Sequence, residues 1–277
     1  MTSPHIYLNG RIVPAEKAAL SPFDIGLLRG YAVFDLLRTV HGRPFLLEEH
    51  LRRLHFSAGE LGLSVPVGDA EIISAIDELL RLNGHTEATV RLVLTGGVSP
   101  DGMSFDPSTP TFFILTHDLH EPPASLYAEG GVLLTHEHRR EVPLAKTTNY
   151  LTMLKHRPNT AEKGALDLLY HDGERLSEAA SASFYIVRDG VIVAPGEGVL
   201  SGTIGAFVLG LDAGRHRVEY REVTLGEALG ADEAFLTSTT RGVVPIVRLD
   251  DNAIGDGRPG PVTTHLMRLF REAIEAL

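Results

Sequence analysis

Apolar residues along this 277-residue chain recur with two different periods, and the switch from one to the other marks out the elements. Short β-type runs stand at 5–13 (HIYLNGRIV), 32–40 (AVFDLLRTV), 89–97 (TVRLVLTGG), 111–119 (TFFILTHDL) and 131–138 (GVLLTHEH). Further runs follow at 167–172 (DLLYHD), 183–195 (SFYIVRDGVIVAP) and 234–239 (AFLTST). Asn9-Gly10 and Asp189-Gly190 sit inside two of these runs, which predicts tight hairpins there. Helical spacing appears from Leu46 to Leu61, from Asp69 to Leu82 through Ile72, Ile73, Ile76, Leu79 and Leu80, and from Pro261 to Leu277.

The polar stretch 117–126, with Pro122 and Pro123, reads as a linker. It predicts a smaller N-terminal domain over 1–116 and a larger C-terminal domain over 127–277. Hairpins mixed with helices, without a regular β/α repeat, predict an α+β (mixed α/β) fold in two domains. The length is that of two domains or one large unit. With 43% hydrophobic and 22% charged residues, folding is expected throughout.

A net charge of −11 opposes phosphate backbones, so no nucleic-acid partner is expected. The absence of cysteine excludes disulfides, thiolate nucleophiles and Cys-based metal sites. The first residues lack a basic start and an apolar run, and no eighteen apolar residues occur in succession. The expectation is a cytoplasmic protein without a membrane partner.

Candidate chemistry centres on Lys146, in Pro143-Leu-Ala-Lys-Thr-Thr-Asn-Tyr150. A lysine flanked by small, apolar and hydroxyl side chains can be partly desolvated, which frees its amine as nucleophile and base. A solvent-facing lysine at a helix start is the ordinary alternative. Pyridoxal phosphate asks for three things at once: an amine for its aldehyde, an acid for its ring nitrogen and a cradle for its phosphate. Glu178, among small residues in Arg175-Leu-Ser-Glu-Ala-Ala-Ser-Ala-Ser183, is a candidate acid, or else a loop-capping glutamate. Arg53, the helix-opening segment Leu200-Ser-Gly-Thr-Ile204 and the strand end Thr237-Ser-Thr-Thr240 are candidates for the cradle.

Taken together, these segments resemble the class IV (fold-type IV) pyridoxal-phosphate-dependent aminotransferases, which include branched-chain and D-amino-acid transaminases and aminodeoxychorismate lyase. The resemblance runs from the Asn9 hairpin through Arg29-Gly-Tyr-Ala-Val-Phe-Asp and Glu49-His-Leu-Arg-Arg-Leu to Lys146, Glu178 and Leu200-Ser-Gly. It continues through Ala231-Asp-Glu-Ala-Phe-Leu-Thr-Ser-Thr, Pro245 and Gly257-Arg-Pro-Gly-Pro-Val-Thr. It implies a two-domain fold with Lys146 in the C-terminal domain as the Schiff-base lysine. It also implies Glu178 at the ring nitrogen, Arg53 at the phosphate, and Gly202, Thr203, Ile204, Thr239 and Thr240 as the rest of the cradle, with Tyr150 beside the cofactor. A homodimer is implied as well. Two departures stand out: Gly202-Thr-Ile-Gly205 replaces the usual Gly-Ile-Thr-Arg, and Ser183 stands where many members place an asparagine.

The partners implied are an amino acid and a 2-keto acid, exchanged in two ping-pong half-reactions. Arg29 and Arg91, with Tyr31 and Phe34 nearby in sequence or pattern, are candidates for the substrate pocket. A mid-strand arginine in an apolar run is costly without an anion, so the pair is expected to clamp a substrate carboxylate. The short Lys146–Asn149 spacing resembles the D-amino-acid and lyase branches. A D-amino-acid transaminase is therefore the leading expectation. An L-branched-chain aminotransferase, an aminodeoxychorismate lyase and a cofactor-free binding module are the alternatives. His136 and His138, two apart on a strand, have the spacing of metal ligands. No third ligand is identifiable and Arg139-Arg140 opposes a cation, so no metal site is expected.

Overall fold

The computed structural model describes residues 4–277, and its chain divides into two units, residues 1–120 with 144–149 and residues 121–143 with 150–277. Among the described residues of the first unit, the strands are β1 (His5–Leu8), β2 (Arg11–Pro14), β3 (Ala32–Val40), β4 (Arg43–Pro44), β5 (Ala88–Thr95) and β6 (Thr111–Asp118). They form one antiparallel sheet in the order β2-β1-β6-β5-β3-β4. Its helices are α1 (Ile25–Arg29), α2 (Leu47–Glu60) and α3 (Asp69–Asn83).

Local chemistry explains these boundaries. Asn9 and Gly10 both take positive φ, 45° and 84°, as a two-residue hairpin between right-twisted strands requires. The Asn9 side chain also accepts from the Phe112 amide, which ties the turn to β6. Leu51, Leu54 and Ala58 bury one stripe of α2, and Ile72, Ile76, Leu79 and Leu80 do the same on α3. The stripes pack on β3 and on β1 and β6. Each fully buried Leu or Ile in such a stripe contributes roughly 1.5–3 kcal/mol.

The second unit contains α4 (Ala124–Glu129), β7 (Gly131–Glu137), α5 (Leu151–Glu162), β8 (Asp167–His171), β9 (Leu176–Ala179), β10 (Ser183–Arg188) and β11 (Val191–Pro195). After these come α6 (Thr203–Leu211), β12 (Val218–Arg221), α7 (Leu225–Leu229), β13 (Glu233–Ser238), β14 (Gly242–Leu249), β15 (Asn252–Ala253) and α8 (Pro261–Glu275). The sheet order is β12-β11-β10-β13-β14-β7-β8-β9, with β15 on β14. It is a mixed sheet, parallel at β11/β12, β14/β7 and β7/β8. Leu133, Phe184, Ile186, Leu236, Val244 and Ile246 lie in its core. The buried Glu233 carboxylate receives the Val262 and Thr263 amides, so a side chain from β13 satisfies the open amino end of α8.

Two expectations need adjustment. The 117–126 linker is shorter than its composition suggests, because β6 keeps pairing with β5 through His117 and Asp118, and α4 starts at Ala124. Residues 144–149, which carry Lys146, group with the first unit and not with the sequence on either side. The reason is backbone pairing: Phe34 N donates to Lys146 O, Thr148 N to Ala32 O, and Val33 bridges Thr147 antiparallel. Among the described residues no helix is long and apolar enough to cross a membrane.

Candidate active site

In the first unit, Lys146 is held at both ends of its peptide. Its carbonyl accepts from Phe34 N at 2.9 Å, and its amide donates to Ser57 Oγ at 3.0 Å. The side chain runs over the Phe34 ring, with Nζ 4.8 Å from the centroid. Arg91 approaches the same ring, its Cζ 4.9 Å from the centroid. Two cations thus sit within about 10 Å of each other on one buried aromatic. Of the four lysines in the chain, Lys17, Lys155 and Lys163 are exposed and Lys146 alone is half-buried.

Arg53 lies on α2 and is nearly buried against β3. Its Nε donates to Asp35 Oδ2 and its Nη2 to Asp35 Oδ1, both at 2.8 Å. His50 Nδ1 meets Asp35 Oδ1 at 2.7 Å, and Asp35 is fully buried. Burial alone would raise the Asp35 carboxyl, but the Arg53 charge and hydrogen bonds, with His50, outweigh it and hold the group well below the usual carboxylate range. The planar fork of Arg53 is therefore fixed in direction by a carboxylate beneath it.

The other expected pocket residues of this unit are dispersed. Tyr31 donates to the Leu61 carbonyl and packs on Phe105. Arg29 is exposed at the end of α1, and its guanidinium is taken up by the Gly102 and Leu28 carbonyls. Among the described residues no hydrogen bond or ion pair joins Arg29 to Arg91, and Arg91 has no carboxylate partner.

In the second unit, Glu178 is buried at 6% exposure, and its Oε1 receives Arg140 Nη1 at 2.6 Å. The support that Ser183 does not obviously supply thus comes from Arg140. The phenol of Tyr170, pushed up to about 12 by burial and by the charge of Asp167, also feels Tyr150, Arg140 and Glu178. Tyr150, at the start of α5, accordingly belongs to the same neighbourhood. Glu178, Ser183, Tyr185 and Gly202 line one cavity of about 250 Å³.

Gly202 begins α6, and no side chain caps that end, so the first-turn amides at Thr203 and Ile204 are not taken by a capping side chain. Behind them there is no room for a side chain unless a neighbour moves. A Cβ on Gly202 would meet Ser183 Oγ at 2.3 Å, and one on Gly205 would meet Tyr185 Oη at 2.0 Å. The Tyr185 hydroxyl therefore fills the space at the departure from the usual Gly-Ile-Thr-Arg run; burial pushes this phenol up to about 12. Thr237 Oγ1, on the neighbouring strand, is buried. Thr239 and Thr240 form the turn between β13 and β14 and are half-buried.

His136 packs on the His156 ring at 4.2 Å, whereas His138 lies past the end of β7 against Tyr170.

Taken singly, these groups are of the kinds that pyridoxal phosphate asks for. An uncapped helix start takes a phosphate by dipole and amide donation, a buried carboxylate paired to arginine takes a pyridine nitrogen, and a half-buried lysine takes an aldehyde. The family model described as amino-transferase class IV matches residues 32–249. The chain belongs to the class IV aminotransferases. A putative branched-chain-amino-acid aminotransferase of Methanocaldococcus jannaschii is 32% identical, over 96% of this chain and 95% of that one. A D-alanine aminotransferase of Listeria monocytogenes is 28% identical over 97% and 96%. The crystal structure of the Escherichia coli branched-chain amino acid aminotransferase superposes with a TM-score of 0.89 at 25% identity, covering 98% of this chain and 95% of that one. A second branched-chain amino acid aminotransferase, solved with pyridoxamine 5'-phosphate, gives 0.88 at 26%, covering 99% and 95%. The fold is therefore fold-type IV, and the aminotransferase uses pyridoxal 5'-phosphate.

Asp35, His50, Ser57, Arg140 and Tyr185 escaped the sequence reading. Asp35 carried a signal, since a carboxylate in the nine-residue apolar strand 32–40 demands a partner.

Proposed function

We propose that this aminotransferase takes the amino group from a D-amino acid and passes it to a 2-keto acid. The cofactor, when bound, supplies the aldehyde that accepts the amino group and a ring that withdraws electrons. Lys146 Nζ takes the proton from the substrate Cα and returns one in the reverse sense. Glu178 holds a proton at the ring nitrogen. Arg53, the amides of Thr203 and Ile204, and the Thr239 and Thr240 hydroxyls bind the phosphate; Gly202 gives the backbone room to approach it, and Tyr150 flanks the ring. Phe34 and Tyr31 shape the substrate pocket, Arg91 binds the α-carboxylate, and Arg29 adds a second contact once it leaves the Gly102 and Leu28 carbonyls.

The observation that carries an α-amino acid as substrate is the common ring beneath Lys146 and Arg91. It sets a half-buried guanidinium without an internal anion near the amine. The D configuration is supported by the relatives named D-alanine aminotransferase, several of them 27–29% identical over 97–98% of this chain. The branched-chain relative and superpositions favour L-leucine as the second reading. A donor panel decides: D-alanine, D-glutamate, L-leucine and (R)-phenylethylamine, each followed by the change in the cofactor absorption band. D-alanine is expected to react fastest, with Arg91→Ala raising its KM at least tenfold; faster turnover of L-leucine overturns the reading.

A homodimer is proposed as well. Phe23, Leu27, Val98 and Met103 are exposed at 63%, 72%, 53% and 70%, and the Ser99–Phe23 and Asp24–Val98 backbone contacts join their two segments into one apolar face of the first unit. Sedimentation of Leu27→Asp against the parent protein tests it: the parent is expected as a dimer and the variant as a monomer.

A further inference from the structure

Asp212, His216 and His265 come from two segments of the second unit and point their polar atoms at one spot. Asp212 caps the carboxyl end of α6, His216 follows four residues later, and His265 projects from α8. Asp212 Oδ1 lies 3.1 Å from His216 Nδ1 and 3.1 Å from His265 Nε2. All three atoms fall within 4.8 Å of one another, the one such group among the described residues.

We propose that this triad is a site for a divalent transition metal of the zinc type. A tetrahedral zinc with bonds near 2.0–2.1 Å spaces its ligand atoms roughly 3.3 Å apart, so both oxygen–nitrogen edges, at 3.1 Å, are already close to that spacing. The carboxylate side chain is 1% exposed and the imidazoles 15%, which leaves an open side for entry and for a water as fourth ligand. Asp212 Oδ2 is held by the His216 amide at 2.8 Å, which fixes the carboxylate while Oδ1 faces the rings.

Proton placement sets the one local cost. Each imidazole now offers Asp212 a nitrogen that must present a lone pair to the ion. His216 does this by carrying its proton on Nε2. His265 must carry its proton on Nδ1, which lies 3.2 Å from Arg268 Nη2, a donor facing a donor. Arg268 is 55% exposed and bound to Glu272 through Nη1, so it can turn aside. No bond to the protein breaks apart from these hydrogen bonds. The ion would pin the carboxyl end of α6 to α8, away from the amino end of α6 to which the phosphate is assigned.

Cobalt chloride titrated into the holoenzyme tests this, because tetrahedral cobalt shows a visible band that zinc does not. One equivalent of cobalt is expected to raise the band, zinc chloride to remove it, and His216→Ala and His265→Ala to abolish it while retaining transaminase activity. Arg268→Gln is expected to tighten binding about tenfold or more, since the charged donor-only guanidinium gives way to an amide whose oxygen can accept from His265 Nδ1; this variant keeps the test open if an alanine variant fails to fold. His136→Ala leaves the band unchanged. Absence of a stoichiometric band in the parent protein and in Arg268→Gln, or a band that survives both alanine variants, overturns the proposal.

Discussion

Arg53 Nε and Nη2 each donate to a different oxygen of the fully buried Asp35, both at 2.8 Å. Removing one partner of such a pair leaves the other charge without compensation, and that loss exceeds what the pair adds to folding. Asp35→Asn is therefore expected to cost about 3–5 kcal/mol in denaturant unfolding and to weaken cofactor retention, because Arg53 loses its fixed direction. The Asp35 carboxyl is depressed in the folded state, so its contribution is fully present above the ordinary carboxylate pKa and is lost as pH falls through the folded value. The parent protein is expected to lose this part of its stability progressively as pH falls below the ordinary carboxylate range, and Asp35→Asn to lack that part of the acid dependence.

Glu178 is held by Arg140 at 2.6 Å. If Glu178 keeps a proton on the ring nitrogen, Glu178→Gln, similar in size but neutral, lowers kcat on the order of 100-fold or more with little change in KM. Arg140→Lys is expected to give a smaller loss, since a point charge replaces the guanidinium. A Glu178→Gln variant with parent kcat contradicts the assignment.

Gly205→Ala sets two effects against each other. Alanine is favoured over glycine inside a helix by about 1 kcal/mol, but its Cβ would meet Tyr185 Oη at 2.0 Å. That hydroxyl ends a ring stacked on Phe235 at 4.7 Å and 6°, so it has little room to yield. Overpacking of this kind costs about 1–3 kcal/mol. Net destabilisation is expected on thermal unfolding, with most of it recovered when Tyr185→Phe is added; an additive double variant would contradict this packing account.

Much of the fold was legible because its signals are local. The strands 32–40 and 111–118, the helices on residues 47–60 and 69–83, and the two tight turns follow from period, side-chain volume and the positive φ that Asn-Gly and Asp-Gly accept. The candidate site rests on residue types, and the resemblance to the family supplied their order. What escaped was pairing at a distance: Arg140 and Glu178 lie 38 residues apart, and Asp35 and Arg53 lie 18 apart on different elements. No local pattern announces such a contact. Residues 144–149 show the same limit, since their grouping with β3 depends on strand-like hydrogen bonds that composition does not encode. The Arg29–Arg91 clamp rested on the mid-strand place of Arg91 in an apolar run and on the resemblance to the family, and neither announces the surface carbonyls that accept from Arg29.

Lys146 is proposed to carry the cofactor, and the chain offers a clean test because it has only four lysines. Borohydride reduction of the coloured holoenzyme, followed by proteolysis and mass spectrometry, locates the reduced cofactor on its peptide. The label is expected on Lys146 alone, and Lys146→Ala is expected to give protein that retains no label. A label on Lys17, Lys155 or Lys163 instead, or an unlabelled but active enzyme, would contradict the account.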